Sequence, residues 1–235
     1  MKKALLIILI FSSFLGLTFA QSLTSKQILD KSISYHNPIG NWEKFDNTFN
    51  IKQTSPNRPD SRRTISLNNA KGIFAYTMEK KEGVIDCHLS ADTCYYLWNK
   101  TTNIPDSIQI KYKLTPKRAE MYRNYYVYLY GLPMKLKDPG GTLNEKVEEL
   151  NYFGKPTYRL KVTYAPEVGD DIWYFYFDKQ TFALIAYQFY HDEAKNDGEY
   201  ILLKEEQNIQ GIIFPKIRTW YTNTGDRNLG TDSLE

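Results

Sequence analysis

The chain of 235 residues has few of the signatures that would name a chemistry. It contains no G-x-S-x-G nucleophile elbow, no H-E-x-x-H, no phosphate-cradling G-x-x-x-x-G-K and no C-x-x-C. Its three histidines, His36, His88 and His191, are scattered, and no pair of carboxylates stands out. The sequence also lacks a basic excess: 30 Lys and Arg against 27 Asp and Glu give a net charge of +3. A nucleic-acid binder would show a basic stripe, and the densest cluster here, Arg58 to Arg63, is broken by Pro59 and Asp60. No nucleic acid is therefore expected as a partner, and nothing calls for a cofactor or metal. Gly/Ser linkers, low-complexity tracts and internal repeats are missing too, which favours a single domain.

Only one long apolar run exists, and it lies at the N-terminus. Lys2 and Lys3 precede Ala4 to Phe11, and Thr18-Phe19-Ala20 places small residues where a signal peptidase reads. Ser12, Ser13 and Gly16 interrupt the run, which falls short of the ~20 residues a membrane span needs. Residues 1–20 are read as a signal peptide cleaved after Ala20, leaving Gln21 first and 21–235 as one domain in the periplasm or outside the cell. Position 21 is not Cys, which argues against a lipid anchor. Cleavage removes two Lys and no acid, so the mature chain is close to neutral. In an oxidising compartment an even cysteine count favours a bridge. If Val84–His88 and Thr93–Trp98 pair antiparallel, Cys87 falls opposite Cys94, at a spacing a disulfide tolerates.

The pattern along the mature chain changes period several times. Thr24 and Gln27 form a capping box ahead of Ile28, Leu29 and Ile33, and Asn37-Pro38 with Gly40 stops that helix. Alternation follows in Phe45, Phe49 and Ile51, then in Ile65 and Leu67, then in Phe74, Tyr76 and Met78. A second helix is predicted over about 116–130, with Thr115 as cap, Pro116 at its first position, and Gly131 and Pro133 at its end. Ala119, Tyr122, Tyr125, Tyr126 and Leu129 share one arc of it, while Met121 and Tyr128 lie outside. Apolar residues on two faces imply an enclosed helix. About six strands are read beyond Asp138-Pro139-Gly140-Gly141, including Tyr158–Tyr164, Ile172–Phe177, Phe182–Tyr190 and Glu199–Lys204. Ile212–Tyr221 is read as the last of them, with Pro215 marking an edge or a bulge. The order lacks βαβ alternation, so an α+β fold with a curled antiparallel sheet wrapped over helices is predicted.

The positive feature is aromatic content: 19 Tyr, 12 Phe and 4 Trp. Such residues suit concave sites that hold an apolar ligand with water at the mouth. Ile172–Phe177 is apolar or aromatic on both faces, so something must cover its second face. The candidate lining is Tyr122, Tyr125 and Tyr126 on the second helix, opposite Trp173 and Phe175. His36 and Trp42 form a further candidate, because Tyr35-His36-Asn37-Pro38 leads into Gly40-Asn41-Trp42; the simplest role for His36 is to cap its helix.

Several segments carry a resemblance. Tyr35-His36-Asn37-Pro38 with Gly40 and Trp42, Ala119–Lys137, Ile172–Asp178, Asp197–Ile201, Phe214–Tyr221 and Leu229–Asp232 resemble a family of exported Gram-negative proteins of unknown function, across nearly all of the mature chain. Its architecture is similar to the LolA-like half-barrel, an incomplete antiparallel barrel curled over helices around an apolar cavity. The resemblance implies an exported, monomeric binding protein whose partner is an apolar small molecule or lipid, with an envelope protein as a second kind of partner. Two other classes stay open. One is an envelope enzyme acting on a lipid or glycan with His36 as general base; the other is an interaction protein that uses an open sheet edge.

Overall fold

The computed structural model describes residues 22–235, so the signal-peptide expectation lies outside the described residues. Helix α1 (Ser25–His36) begins as its capping box predicts: Gln27 N–H donates to Thr24 Oγ1 at 3.2 Å, and Thr24 N–H donates to Gln27 Oε1 at 2.9 Å. Five strands follow as a meander: β1 (Asp46–Ser55), β2 (Arg58–Asn68), β3 (Ile73–Lys80), β4 (Gly83–Leu89) and β5 (Cys94–Trp98). A short helix α2 (Asp106–Tyr112), which the sequence pattern did not announce, leads into α3 (Pro116–Gly131). Thr115 caps α3 by accepting from Arg118 N–H at 3.2 Å, a contact worth about 1 kcal/mol. Gly131 ends it where a Cβ would lie 2.6 Å from the ring of Trp42, so the indole packs directly on the helix end.

Seven more strands complete the chain: β6 (Gly141–Tyr152), β7 (Lys155–Tyr164), β8 (Ile172–Asp178), β9 (Leu184–Tyr190), β10 (Glu199–Ile209), β11 (Ile212–Thr222) and β12 (Asn228–Leu234). All twelve form one antiparallel sheet in the order β5-β4-β3-β2-β1-β12-β11-β10-β9-β8-β7-β6. The sheet is curled but unclosed, since β5 and β6 remain as edges. Pairing of β12 with β1 is what welds the two meanders together. This corrects the reading of Ile212–Tyr221 as the last strand and the edge alternative for Pro215: β12 follows it, and β11 lies near the centre of the sheet, with Pro215 opposite Glu206.

Register sorts the concave face into rows. One runs Leu160, Phe175, Tyr187, Ile201, Trp220, Gly230 across six strands, and another runs Phe49, Ile65, Tyr76, Cys87, Tyr96. Helix α3 lies in this concavity. Tyr130 stacks on Phe49 at 4.2 Å between ring centroids, Tyr126 stacks on Phe74 at 6.3 Å, and Tyr122 meets Tyr76 edge-on at 5.2 Å. Such pairs contribute about 0.5–1.5 kcal/mol each beyond the area they bury. The outer face of β8 is covered as its sequence demanded, because Tyr152 stacks on Tyr176 at 3.8 Å and leaves it 1% exposed.

The cysteines depart from their expected register. Leu89, not Cys87, stands opposite Cys94, while Cys87 faces Tyr96, so the two cysteines are diagonal rather than directly paired. Both thiols are free. The Cys87 thiol is pushed up to about 12, by burial first and by the neighbouring Cys94 second.

Candidate functional site

The seven side chains singled out above do not share one site. His36 is 1% exposed, and both ring nitrogens are engaged by backbone: Nδ1 lies 2.7 Å from the Ile213 carbonyl oxygen, and Leu184 N–H donates to Nε2 at 2.9 Å. Nε2 must therefore carry a lone pair, and Nδ1 the proton. Burial holds the imidazole below its usual pKa, which keeps it neutral. This corrects the general-base reading, because the basic nitrogen is already occupied and shut away from solvent. Leu184 lies beyond the last β9–β10 pair, Ala186 with Leu202, and Ile213 lies before the first β11–β12 pair, Ile217 with Ser233. His36 thus takes up a β9 amide that β10 no longer reaches and a carbonyl of β11, where that strand still pairs with β10 but not yet with β12.

Tyr126 and Phe175 are fully buried, so their reading as cavity lining is also corrected: they are packed core, Tyr126 beside the rings of Phe74, Tyr122, Tyr125 and Tyr130, and Phe175 beside those of Trp173 and Tyr187. Tyr122 is half-buried against Tyr76, with the Arg118 guanidinium 4.9 Å from its ring centroid. Trp42 is 3% exposed, stacks on Phe45 and borders a pocket of about 340 Å³.

Tyr125 and Trp173 are placed differently. Both line a cavity of about 580 Å³ that opens between α3 and the β7–β8 connection, with Val127, Tyr128, Tyr164 and Val168 as further walls. Tyr125 is 46% exposed, although its neighbour Tyr126 is fully buried. Trp173 packs edge-on against Tyr128 at 5.8 Å and tilted against Phe189 at 4.9 Å. The hydroxyls of Tyr128 and Tyr164 are 2.7 Å apart, so these two rings satisfy each other's polar ends and present apolar edges to the cavity. Lys135 and Asp138 pair at its rim. The volume falls in the range of small-molecule sites, roughly 300–1,000 Å³.

Behind Tyr125 the concave face turns polar. Arg218, Asp232 and Gln53 stand in one row across β11, β12 and β1. Gln53 Nε2 donates to Asp232 Oδ1 at 2.9 Å, and Arg63 donates to Gln53 Oε1 and to the Tyr126 hydroxyl at 2.5 and 2.9 Å. Arg218, 2% exposed, donates to the Pro215 carbonyl at 2.9 Å and sits 4.2 Å from the Tyr130 ring centroid. Burial raises the Asp232 carboxyl, while Arg63, Gln53 and Arg218 act against that rise. Sequence reasoning missed this row, as a charge in a strand carries no mark of the face it will occupy. Val127, Tyr128, Tyr164 and Val168 were missed as lining; only the position of Tyr128 outside the main helical arc hinted at a second environment. Among the described residues no group of three or more His, Cys, Asp or Glu is placed to hold a metal ion.

Comparison with known proteins agrees with this architecture. A family model described as "Family of unknown function (DUF6503)" matches residues 2–235. Among solved structures, the chain is similar to a LolA superfamily protein from Nitrosomonas europaea, with a TM-score of 0.52 and 10% identity over 91% of this chain and 92% of that one. It is also similar to a structure described as an outer membrane lipoprotein-sorting protein domain from Vibrio parahaemolyticus, with a TM-score of 0.50 and 8% identity over 90% and 91% of the two chains. At such identities the likeness concerns the fold, and the fold is LolA-like. No curated protein matches the sequence significantly.

Proposed function

The chain belongs to that family of unknown function, and from its LolA-like fold we propose that it is an exported binding protein that holds a lipid-like or other apolar ligand beside α3. The observation that carries this reading is the cavity of about 580 Å³, whose apolar part is walled by Tyr125, Val127, Tyr128, Tyr164, Val168 and Trp173 and whose polar part by Asn124, Lys135, Asp138, Glu167 and Asp171. Its aromatic side chains are anchored from outside: Tyr128 by Tyr164, and Trp173 by Phe189 and Phe175. An anchored wall needs little reordering when a ligand arrives, which lowers the entropic cost of binding. The half-exposed Tyr125 at the mouth supplies a ring that meets both chain and solvent.

Export fits the N-terminal pattern of Lys2-Lys3, the apolar run and Ala20. Among the described residues no helix is long and apolar enough to cross a membrane. The neighbouring lipoprotein-sorting domain suggests an envelope lipid or lipoprotein as the class of ligand. The test is mass spectrometry of organic-extractable molecules from protein purified out of its own envelope, alongside Trp173→Ala. A defined apolar species at near-equal molar ratio, reduced in the variant, supports the reading. Extracts indistinguishable from those of an unrelated envelope protein would end it.

A further inference from the structure

Beneath α3 the concave face holds hydrogen-bond donors that no protein acceptor meets. Among the described residues the buried hydroxyls of Tyr130 and Tyr187 and the buried Nε of Arg218 have no partner. These groups are neighbours. The Arg218 guanidinium lies 4.2 Å from the Tyr130 ring centroid, and register sets Arg218 two positions from Trp220, whose row runs through Ile201 to Tyr187. Burial pushes the hydroxyls of Tyr125, Tyr130 and Tyr187 above the ordinary phenol value, and the charge of Arg218 draws each of them back down. Tyr187 also stands 6.2 Å from Trp173 between ring centroids, so it joins this group to the wall of the apolar cavity.

The charge here is unbalanced. Two guanidiniums, Arg63 and Arg218, share the single carboxyl of Asp232, and among the described residues none of the three lies within ion-pairing distance of an opposite charge. Arg63 donates to Gln53 and to the Tyr126 hydroxyl, while the one acceptor of Arg218 is the Pro215 carbonyl. Burial moreover raises the Asp232 carboxyl, which weakens it as a counter-ion. A buried cation without its own anion is destabilising, and an anion brought beside it reverses that. The donors suit a carboxylate, whose two oxygens accept about four hydrogen bonds and carry one negative charge. A phosphate monoester would bring up to two charges to a site with one to neutralise.

We propose that the ligand is a long-chain carboxylic acid bound as its carboxylate, with its chain in the cavity beside α3 and its head turned inward to Arg218, Tyr130 and Tyr187. This rests on the apolar-ligand reading and adds the charge and direction of the head. Tyr125 borders the cavity, and the charges of Asp232, Arg63 and Arg218 all act on its hydroxyl. It is therefore the side chain that gives way when the head enters.

The experiment titrates the mature protein, stripped of co-purifying lipid, at neutral pH with dodecanoate, dodecanol, dodecylamine and acetate, and reads binding by calorimetry. Dodecanoate should bind about tenfold or more tightly than dodecanol, the size of one charge-assisted hydrogen bond, with dodecylamine weakest of the three chains and acetate far weaker than dodecanoate. Arg218→Met, checked for native circular dichroism, should remove the acid's advantage and leave dodecanol unchanged. Tyr187→Phe covers the case in which that variant fails to fold. It deletes a hydroxyl that has no partner in the protein, so the melting temperature of the ligand-free protein should hold or rise while dodecanoate binding weakens about fivefold. Equal binding of acid and alcohol overturns the carboxylate head but leaves the apolar site standing. An advantage for dodecanoate that survives Tyr187→Phe and Arg218→Met puts the head elsewhere and overturns the assignment, as does acetate binding as tightly as dodecanoate, which would make this a site for a free anion. If none of the three chains binds, the apolar-ligand reading falls and takes this inference with it.

Discussion

Replacing His36 tests the structural role assigned to it against the catalytic one. In His36→Ala the Leu184 N–H and the Ile213 carbonyl lose their only side-chain partner inside a site where the imidazole was 1% exposed. Leaving a buried donor or acceptor unpaired costs about 1–3 kcal/mol each, and the cavity left by the ring adds to that. The expected loss is about 3–5 kcal/mol in urea unfolding near pH 7.5, a large part of the stability of an ordinary domain. The pH dependence carries a second signature. Burial holds the folded-state pKa of His36 below the unfolded value of about 6.5, so the native state binds fewer protons than the unfolded one between those two pKa values. His36 therefore favours folding fully above the unfolded pKa, and its contribution is lost as pH falls below about 6.5 toward the depressed folded value. His36→Gln keeps a donor and an acceptor but cannot titrate, so the wild type should lose stability relative to it from pH 7.5 to 5.5. Parallel stability curves for wild type and His36→Gln over that window, or a loss under about 1 kcal/mol in His36→Ala, would refute the assignment.

Two further substitutions separate core from cavity: Tyr126→Ala should cost about 3–5 kcal/mol as a large-to-small change at a fully buried site, whereas Tyr125→Ala should cost far less and instead shift the affinity for an apolar fluorescent probe. Comparable losses of stability in the two variants, measured by thermal unfolding, would contradict that division. Alkylation of the folded, reduced protein should mark the half-exposed Cys94 well before the buried Cys87, whose thiol is pushed up to about 12. Peptide mass mapping after a short pulse of iodoacetamide reads the order, and equal labelling would place Cys87 in a far more open setting than its strand position allows.

Much of the architecture was legible because local chemistry and tertiary structure agree. Thr24 with Gln27 and Thr115 with Pro116 mark helix starts that the structure keeps, and the clean alternation of Phe74, Tyr76 and Met78 gives their burial side directly. The weak points are equally physical. Helix α2 buries none of its residues, so no periodic apolar stripe announces it. Strand β12 reads as polar, Asn-Leu-Gly-Thr-Asp-Ser-Leu, because part of its concave face meets the Arg218–Asp232–Gln53 row rather than a hydrocarbon core. Missing β12 made β11 look like the last strand, which left an edge open as one of the two readings of Pro215. For the site, the aromatic helix pointed to the right element but not to the right residues. A 100° wheel puts Tyr122, Tyr125 and Tyr126 on one arc, yet Tyr126 is fully buried while Tyr125 is 46% exposed at the mouth. That difference depends on where the sheet curls, which the helix sequence does not encode. The cysteine register differs by two residues from the expected one, because the turn closes between Ser90 and Thr93, where Ser90 N–H donates to the Thr93 carbonyl at 2.8 Å, and so sets Leu89 opposite Cys94.

The central claim, that a ligand chain occupies the cavity beside α3, has Trp173 as a built-in reporter. Of the four tryptophans, Trp173 alone lines this cavity; Trp42 and Trp220 border other pockets, and Trp98 packs near Tyr112. Titrating the mature protein with a fatty chain brominated near its middle measures contact, because bromine quenches an indole only at close range. The account predicts saturable quenching of the wild-type fluorescence that is largely lost in Trp173→Phe, with the variant unfolding at nearly the same temperature. Quenching that is linear and unsaturable, or that is unchanged in Trp173→Phe, would contradict it.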